Sequence, residues 1–464
     1  MPLPSTKLLP LAAISALLAS CLAPASAQTA QTANPANPAS LTVHVVNSVT
    51  HQPVLDPTVT VSGKVLSATN GAYTLPANTQ SVMARAPGYR AVTVSAADIH
   101  NSKDAIALQP FAVHALYLSE YGISSSVIRN SAYGIIRRGG ANALVVNIKS
   151  DHGQLVYPST IPLAKEIGAR NITLIHSLPD LVNSAHAQGI YIIARIVTFK
   201  DTPLATSKPD LAIHLANGEL FKDREGLSWT DPFKPEVRAY NIAIATEAAK
   251  AGFDEVQFDY VRFPDSTTKL VVSGPTDEAH RIEAISSFLG DAHKALAPYN
   301  VFLSADIFGY TFWNTNDTGI GQQLNHLVDK VDYICPMLYP SGFAHGIPGH
   351  VKPMATTDDI HETIKLTLDK GIERTDINPL KLRPWLQAFR DYAFGGVMFG
   401  PEQVATQISA ADADHTDGWQ LWNPRNSYSS IGLVRETAPT NPAKETAAAS
   451  SKDTSLPAAA HASK

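Results

Sequence analysis

The sequence predicts an α/β fold, a (β/α)8 barrel of the TIM type, preceded by a small all-β sandwich. From about residue 113 onwards, short apolar segments alternate with amphipathic helical segments, whereas residues 40–110 contain only short segments of period two and no helical period. Strands separated by helices pair in parallel through crossovers. Eight such strands in about 300 residues match the count and size of this barrel. A doubly wound sheet is the alternative, but its glycine-rich phosphate turn is missing.

The composition narrows the class of protein. The chain has 464 residues, with 36 Lys and Arg against 41 Asp and Glu, which gives a formal net charge of −5. Hydrophobic residues make up 44% and charged residues 17%, as in globular proteins with a sizeable core. The mildly acidic balance argues against nucleic acid as a partner. The two cysteines, Cys21 and Cys335, provide neither a disulfide framework nor a four-sulfur metal site.

The first 27 residues are predicted to be an export signal. Lys7 supplies a positive start, and residues 8–19 form an apolar core. Two ways of processing are open: cleavage after Ala27, which ends a small-x-small site, or lipidation of Cys21, which ends a segment that resembles a bacterial lipoprotein box. Both predict a periplasmic or extracellular protein, and the second adds a lipid anchor to the bacterial envelope. After residue 30, no stretch is apolar and long enough to span a bilayer.

Residues 28–39 are a Pro/Ala/Asn linker, and the segment that follows, 40–111, is predicted to be the sandwich. It contains β-branched runs of period two and a tight-turn signal at Asn70-Gly71. The motifs Gly-Ala-Tyr-Thr-Leu and Ala-Pro-Gly-Tyr resemble the carboxypeptidase-regulatory-like β-sandwich, which implies an accessory module. The barrel is predicted over 112–434, and a disordered tail over 435–464.

The barrel elements follow from the alternating pattern. The predicted strands are 114–119, 143–149, 190–197, 254–260, 301–307, 331–338, 383–388 and 418–422. The predicted helices are 125–138, 178–188, 235–251, 276–297, 320–330, 357–370 and 401–411.

Side-chain parity predicts which residues face the barrel interior. On the fourth strand, Glu255, Gln257 and Asp259 share one face, while Val256 and Phe258 suit the helix layer. Asp259 then lies at the carboxyl end of its strand, where active sites of such barrels are built. The same test brings further polar and aromatic side chains to this rim: Asn147, Lys149, Arg195, Ser304, Asp306, Met337, Tyr339, Trp385, Gln387 and Trp422.

Each candidate also has a structural interpretation. Asp259 and Arg262 could form an ion pair that fixes a loop, and Asp306 could cap the following segment. Lys149 and Arg195 could serve only to neutralise Asp259. The tryptophans could be core residues. The convergence of so many polar strand ends favours a functional site.

Paired carboxylates at a barrel mouth suit glycoside hydrolysis, in which one group protonates the leaving oxygen and the other acts as nucleophile or activates water. All five tryptophans fall within the barrel segment, and their faces complement the C–H faces of sugars. No H-x-H, H-E-x-x-H or cysteine cluster predicts a metal, and the sequence gives no sign of a cofactor. A G-x-S-x-G elbow and a Walker A loop are also missing, which disfavours serine hydrolysis and phosphoryl transfer.

The barrel segment resembles a family of glycoside hydrolase barrels, most of whose members are uncharacterised. The most specific match is Gly252–Pro264, GFDEVQFDYVRFP. Further matching stretches follow the family's order, at 193–197, 199–201, 229–232, 303–309, 336–341, 383–387 and 418–423. The resemblance covers 113–434 and implies a barrel with glycosidase activity. Two positions depart from the family: Asn147 stands where Asp is usual, and Gly342-Phe343 where His-Tyr is common.

We therefore predict an exported glycosidase that cleaves O-glycosidic bonds of a polysaccharide or oligosaccharide. Asp259 is expected to be the nucleophile or base and Asp306 the general acid. The alternatives are a barrel that binds glycans without cleaving them and an envelope scaffold. The residues expected to position the sugar are Lys149, Asp151, Arg195, Gln257, Tyr260, Arg262, Tyr339, Trp385, Gln387 and Trp422.

Overall fold

The computed structural model describes residues 41–349, 356–430 and 432–433. The predicted export signal and linker, and nearly all of the predicted tail, lie outside these residues.

The N-terminal module, residues 42–108, consists of two small sheets. A three-stranded sheet has the order β4-β1-β7, and a four-stranded sheet has the order β3-β2-β5-β6. Val43 and Ile106 from the first sheet and Val59 and Val82 from the second are fully buried in one hydrophobic cluster. The strands are β1 (Thr42–Asn47), β2 (Thr58–Val61), β3 (Lys64–Val65), β4 (Ala72–Thr74), β5 (Ser81–Arg85), β6 (Val92–Ser95) and β7 (Ala105–Leu108).

The expectation that this module contains no helix is wrong. Helix α1 (Ala96–Asn101) begins after Ser95, whose hydroxyl accepts a hydrogen bond from the backbone N–H of Asp98 at 3.0 Å. Six residues are too few to produce a recognisable helical period, so only this cap could have predicted the helix.

The barrel prediction is confirmed. In the described part of the chain, eight parallel strands close in the order β10-β12-β14-β15-β16-β17-β8-β9, while β11 and β13 form a separate antiparallel pair. The strands are β8 (Val113–Leu118), β9 (Ala143–Lys149), β10 (Tyr191–Val197), β11 (His214–Leu215), β12 (Glu255–Asp259), β13 (Leu270–Val271), β14 (Phe302–Phe308), β15 (Tyr333–Met337), β16 (Trp385–Gln387) and β17 (Gly418–Trp422).

The helices form the outer layer. They are α2 (Glu120–Ser124), α3 (Ser126–Arg137), α4 (Pro162–Glu166), α5 (Leu178–His186), α6 (Thr202–Ser207), α7 (Pro235–Ala251), α8 (Glu278–Leu296), α9 (Leu324–Leu327), α10 (Thr357–Thr375) and α11 (Pro401–Ala413). Helix α7 has the predicted bounds because Pro235 occupies its first turn and Gly252, at φ 94°, ends it.

The predicted helix 125–138 is confirmed as α3, which runs from Ser126 to Arg137 after the capping side chain of Ser125. One helix prediction is wrong. The predicted helix 320–330 shrinks to the four residues of α9. Asp317 accepts hydrogen bonds from the backbone N–H groups of Gly319 and Gly321, both at positive φ, and thereby holds this segment in a turn.

The N-terminal module packs on the amino ends of the barrel strands. Arg85 of β5 pairs with Asp332 at 3.3 Å, directly before β15. The backbone N–H of Gly88 donates to the hydroxyl of Tyr333 at 3.1 Å, and Asn300, just before β14, donates to the carbonyl of Val92 at 2.8 Å. The module therefore covers the end of the barrel opposite to the rim where active sites are built.

Candidate active site

Two adjoining cavities open at the carboxyl ends of the barrel strands. The barrel cavity, of about 210 Å³, lies over the strands, and the strap cavity, of about 170 Å³, lies beside it. We call them together the cleft; they share Arg224, Tyr260, Arg262 and Phe308. The remaining residues of the barrel cavity are Asp151, Arg195, Asp259, Met337, Tyr339, Trp385 and Trp422. Those of the strap cavity are Lys200, Asp223, Glu225, Trp229, Pro264 and Asp265.

Arg195 organises the barrel cavity. The ladder places it beside Asn147 on β9 and Gln257 on β12, and its side chain is buried. Its Nε donates to Oδ2 of Asp259 at 3.0 Å, and its Nη2 donates to the same oxygen and to Oδ1 of Asp151 at 3.2 Å. Nη1 donates to Oδ1 of Asn147 at 2.7 Å. One guanidinium thus orients two carboxylates, as the fixed fork of an arginine favours.

An aromatic wall stands beside this group. The rings of Tyr117 and Trp422 stack with centroids 3.8 Å apart, and Trp385 meets Trp422 edge-on at 5.5 Å. The guanidinium of Arg195 lies 5.0 Å from the Trp422 ring. Asn147 donates to the Tyr117 hydroxyl at 3.0 Å and so links the wall to Arg195. The predicted aromatic residues Trp385 and Trp422 therefore both line the cavity.

Asp306 lies beside Asp259 but is covered. Phe258 of β12 pairs with Ala305 of β14, so the next residues of these strands, Asp259 and Asp306, are neighbours. Asp306 is only 1% exposed, and the indole N–H of Trp385 donates to its Oδ1 at 2.7 Å. The expectation that both aspartates line the mouth is thus correct only for Asp259. The side chain of Asp306 is closed off because Trp385 occupies the space above it.

Burial makes Asp306 a poor anion. It raises the pKa of this carboxyl well above its usual range, the neighbouring Asp259 raises it further, and Arg195 opposes both. The Oδ2 atom of Asp306 is buried and has no hydrogen-bond partner among the described residues. Both observations favour the protonated form of this carboxyl group.

Lys149 does not reach the cleft, contrary to the prediction. The ladder between β9 and β10 shifts after the pair Asn147–Arg195, so that Lys149 pairs with Ile196 and one residue of β9 is left out of register. The Nζ of Lys149 lies 2.7 Å from Asp201 and 3.0 Å from Asn241 of α7, fully buried. This bulge turns the side chain towards the helix layer.

Two predicted glutamines support the site from within rather than lining it. Gln257 donates to Oε1 of Gln420 across the barrel at 3.0 Å. Gln387 donates to the hydroxyl of Ser341 at 2.7 Å and accepts from its backbone N–H at 3.0 Å, which holds the turn that follows β15. Both glutamines are fully buried, so neither contacts a ligand in the cleft.

Tyr260 adopts the left-handed conformation, with φ at 49°. Such backbone strain in a non-glycine residue costs about 1–2 kcal/mol and is concentrated at functional sites. The ring lies between Arg262 and Lys200, whose cationic groups are 5.2 and 4.8 Å from its centroid. Burial, together with the nearby Asp151 and Asp259, raises the pKa of Tyr260 to about 12. Tyr260, Arg262, Tyr339 and Asp151, which the sequence predicts to position the sugar, all line the cleft.

Sequence reasoning missed the strap, residues 214–230, which supplies Asp223, Arg224 and Glu225. Lys200 pairs with Glu225 at 2.5 Å and with Asp223 at 3.2 Å, which fixes the strap above the barrel. A signal was available: the segment between β10 and α7 is far longer than an ordinary βα loop, and long loops at this end of a barrel carry function.

Among the described residues, no three His, Cys, Asp or Glu side chains cluster as a metal site would require. Within the same residues, no helix is both long and apolar enough to cross a bilayer.

Comparisons with known proteins identify the family. A family described as "Putative glycosyl hydrolase domain" matches residues 115–428. No curated protein matches the chain. Among solved structures, a hypothetical protein from Ruminiclostridium thermocellum is 36% identical, over 41% of this chain and 96% of its own, with a TM-score of 0.37. The glycoside hydrolase domain of PgaB (BpsB) from Bordetella bronchiseptica is 13% identical, over 68% and 95%, with a TM-score of 0.50.

A chitinase from Chromobacterium violaceum is 13% identical, over 69% of this chain and 96% of its own, with a TM-score of 0.40. The family match spans more than half of the chain. The protein therefore belongs to this glycosyl hydrolase family, and it is a glycosidase.

Proposed function

We propose that the protein hydrolyses O-glycosidic bonds of a polysaccharide in the cleft, with Asp259 as the nucleophile or base. The observation that carries the proposal is the position of Asp259. It lines the barrel cavity beside Trp422, and Arg195 donates two hydrogen bonds to one of its oxygens. A sugar seated on the aromatic wall would present its anomeric carbon to a carboxylate that is already oriented.

Both oxygens of Asp259 are held. Oδ2 accepts from Arg195, and Oδ1 accepts from the backbone N–H of Tyr260 at 2.6 Å. Such charge-assisted bonds limit the rotation of the carboxylate, which favours attack at one position. Asp259 would then bond directly to the anomeric carbon or activate a water against it.

Two carboxyl groups compete for the role of the acid, each with one observation in its favour. Asp306 has the raised pKa that an acid needs, but it does not line the cleft. Asp151 lines the cleft, and its side chain is 37% exposed, but Arg195 binds it. Because Asp151 and Asp259 both bind Nη2 of Arg195, their oxygens lie within about 6 Å of each other, the sum of two hydrogen-bond lengths. We assign the acid role to Asp306, as the sequence predicts; this assignment requires the Trp385 indole to move away from Asp306 when a sugar binds, because Trp385 covers the carboxyl group.

Reducing-end release from a panel of polysaccharides tests the proposal. We expect the wild-type protein to cleave at least one of them and Asp259→Asn to lose about 10²–10⁴-fold of that activity. Asp210→Asn is the matched control, because Asp210 is exposed and lies outside the cleft. Binding of glycans by the wild-type protein without release of products would favour the glycan-binding alternative.

Aryl glycosides of the cleaved sugar decide between the two acids. A variant that lacks the acid keeps most of its turnover when the leaving group is good, because such a group leaves without being protonated. A variant that lacks the nucleophile or base loses its turnover whatever the leaving group. We expect this pattern for Asp306→Asn, with a dinitrophenyl glycoside cleaved at nearly the wild-type rate. If Asp151→Asn, and not Asp306→Asn, retains cleavage of the dinitrophenyl glycoside, the general acid is Asp151.

We further propose that the protein acts outside the cytoplasm, with residues 40–111 as an accessory module. Support comes from the sequence alone, from the apolar run 8–19 and the two processing sites. Mass spectrometry of the purified mature chain tests this: a chain that starts at Gln28 indicates signal cleavage, and a lipidated Cys21 indicates an anchor. An intact N-terminus in the producing bacterium would contradict export.

A further inference from the structure

Two guanidinium groups in the cleft have no carboxylate partner. Arg224 of the strap and Arg262, three residues after β12, line both the barrel cavity and the strap cavity. Within the described residues, neither lies within ion-pair distance of an Asp or Glu. Two cations from separate parts of the chain therefore face the same space.

The other charges of the cleft are already paired. Arg195 binds Asp151 and Asp259, and Lys200 binds Asp223 and Glu225. Asp265 lines the strap cavity but is exposed. The residues that line the two cavities thus include four cationic and five acidic side chains, and Arg262 and Arg224 are the two of these cations without a direct carboxylate contact among the described residues.

Arg262 is held in place without being neutralised. Its guanidinium lies 5.0 Å from the ring of Trp229, 5.2 Å from that of Tyr260 and 4.7 Å from that of Phe308. One N–H donates to the carbonyl of Phe263 at 3.0 Å. The other guanidinium nitrogens have no partner among the described residues, yet they are not sealed from solvent. Burial lowers the pKa of Arg262 from its usual value, which is the mark of a cation whose desolvation is not fully compensated.

We propose that the cleft recognises an acidic sugar, whose carboxylate or sulfate group binds between Arg262 and Arg224. The inference rests on the proposed function and names the substrate class for the same site. The planar fork of a guanidinium matches an oxyanion with two acceptor oxygens. The three rings around Arg262 exclude water on one side and so strengthen that interaction. A neutral glycan would leave both guanidinium groups without a direct anionic partner.

Binding is tested on the full chain carrying Asp259→Asn, which separates recognition from cleavage. The probes are a panel of uronic-acid oligosaccharides, the same oligosaccharides after reduction of their carboxyl groups, and sulfated neutral oligosaccharides. We expect at least one acidic probe to bind at least about tenfold more tightly than its neutral counterpart. Comparison of the uronate and sulfate arms identifies the group that the site takes.

Arg262→Met and Arg224→Met should each reduce that difference in affinity. Arg224 is exposed, so its variant tests the site even if Arg262→Met fails to fold. Arg137→Met, on the outer helix α3, is the matched control and should keep the preference. The proposal is overturned if no acidic probe binds more tightly than its neutral counterpart, or if both cleft variants keep the preference.

The outcomes separate this inference from the proposed function. Cleavage of a neutral glycan that is unaffected by Arg224→Met would overturn the acidic-sugar site and leave the hydrolase proposal standing. A preference for acidic probes, without cleavage of any glycan by the wild-type protein, would support the acidic-sugar site and contradict the proposal that Asp259 hydrolyses glycans in this cleft.

Discussion

The barrel contains two buried arginines, each bound to two carboxylates, at its opposite ends. At the amino end, Arg383 pairs with Glu255 at 2.5 Å and with Asp417 at 2.6 Å. At the carboxyl end, Arg195 pairs with Asp259 and Asp151. The chemistry of the two groups is the same.

Their surroundings differ. Arg383 and Glu255 are 0% exposed and Asp417 is 1% exposed, and the N-terminal module covers this end of the barrel. At the other end, Asp259 is 8% exposed and lines a cavity. A closed ion group can only hold strands together, whereas an open one can act on a ligand. The two groups contain the same types of residue, so it is access to solvent that separates a structural charge group from a candidate catalytic one.

The largest expected effect is on catalysis at the open, carboxyl end of the barrel. Asp259→Asn should lower kcat by up to about 10⁴-fold while the melting temperature changes little, because asparagine still accepts a hydrogen bond from Arg195. Steady-state kinetics and thermal unfolding of the same preparation check both parts. A large fall in melting temperature would mean that Asp259 serves stability, like the carboxylates at the closed end.

At the closed end we expect the reverse. Arg383→Met leaves Glu255 and Asp417 as buried, unpaired charges and should reduce the free energy of unfolding by about 3–5 kcal/mol. Chemical denaturation measures this change. Per folded molecule, glycan cleavage should stay near the wild-type level. A change below about 1 kcal/mol would contradict a structural role for this group.

Only part of this arrangement could be predicted from the sequence. The eight strands, and the position of Asp259 on the inner face of its strand, were predictable because side chains alternate along a strand. The orientation of Lys149 was not, because a one-residue register shift between neighbouring strands leaves no mark in the sequence of either strand. The burial of Asp306 was not predictable either, because Trp385, which covers it, lies 79 residues further along the chain on another strand.

Asp306 predicts a dependence of stability on pH. Its pKa is raised in the folded state, so the folded chain binds its proton more tightly than the unfolded chain. Its contribution to stability is therefore complete below the unfolded pKa and is lost as the pH rises towards the folded pKa. Asparagine does not titrate, so Asp306→Asn should not lose stability in this way. The free energy of unfolding of the variant, relative to that of the wild type, should therefore be higher at neutral pH than at acidic pH. Denaturation at about pH 4 and pH 7 measures the gain; equal differences at both would contradict it.

The smallest effect concerns the contact between the N-terminal module and the barrel. Arg85→Met removes the ion pair with Asp332, which keeps its hydrogen bond from the backbone N–H of Leu303 at 2.9 Å. We expect a loss of about 1–3 kcal/mol in the free energy of unfolding. Glycan cleavage should not change, because the module lies opposite to the cleft. A fall in kcat with unchanged stability would assign the module a part in catalysis.

We attribute glycoside hydrolysis to the open carboxylate, Asp259. The most direct measurement is the ratio of kcat/KM between the wild-type protein and Asp259→Asn on a polysaccharide that the wild type cleaves, at equal folded fractions. We expect a ratio of about 10² or more. A ratio near one, with both proteins folded, would contradict it.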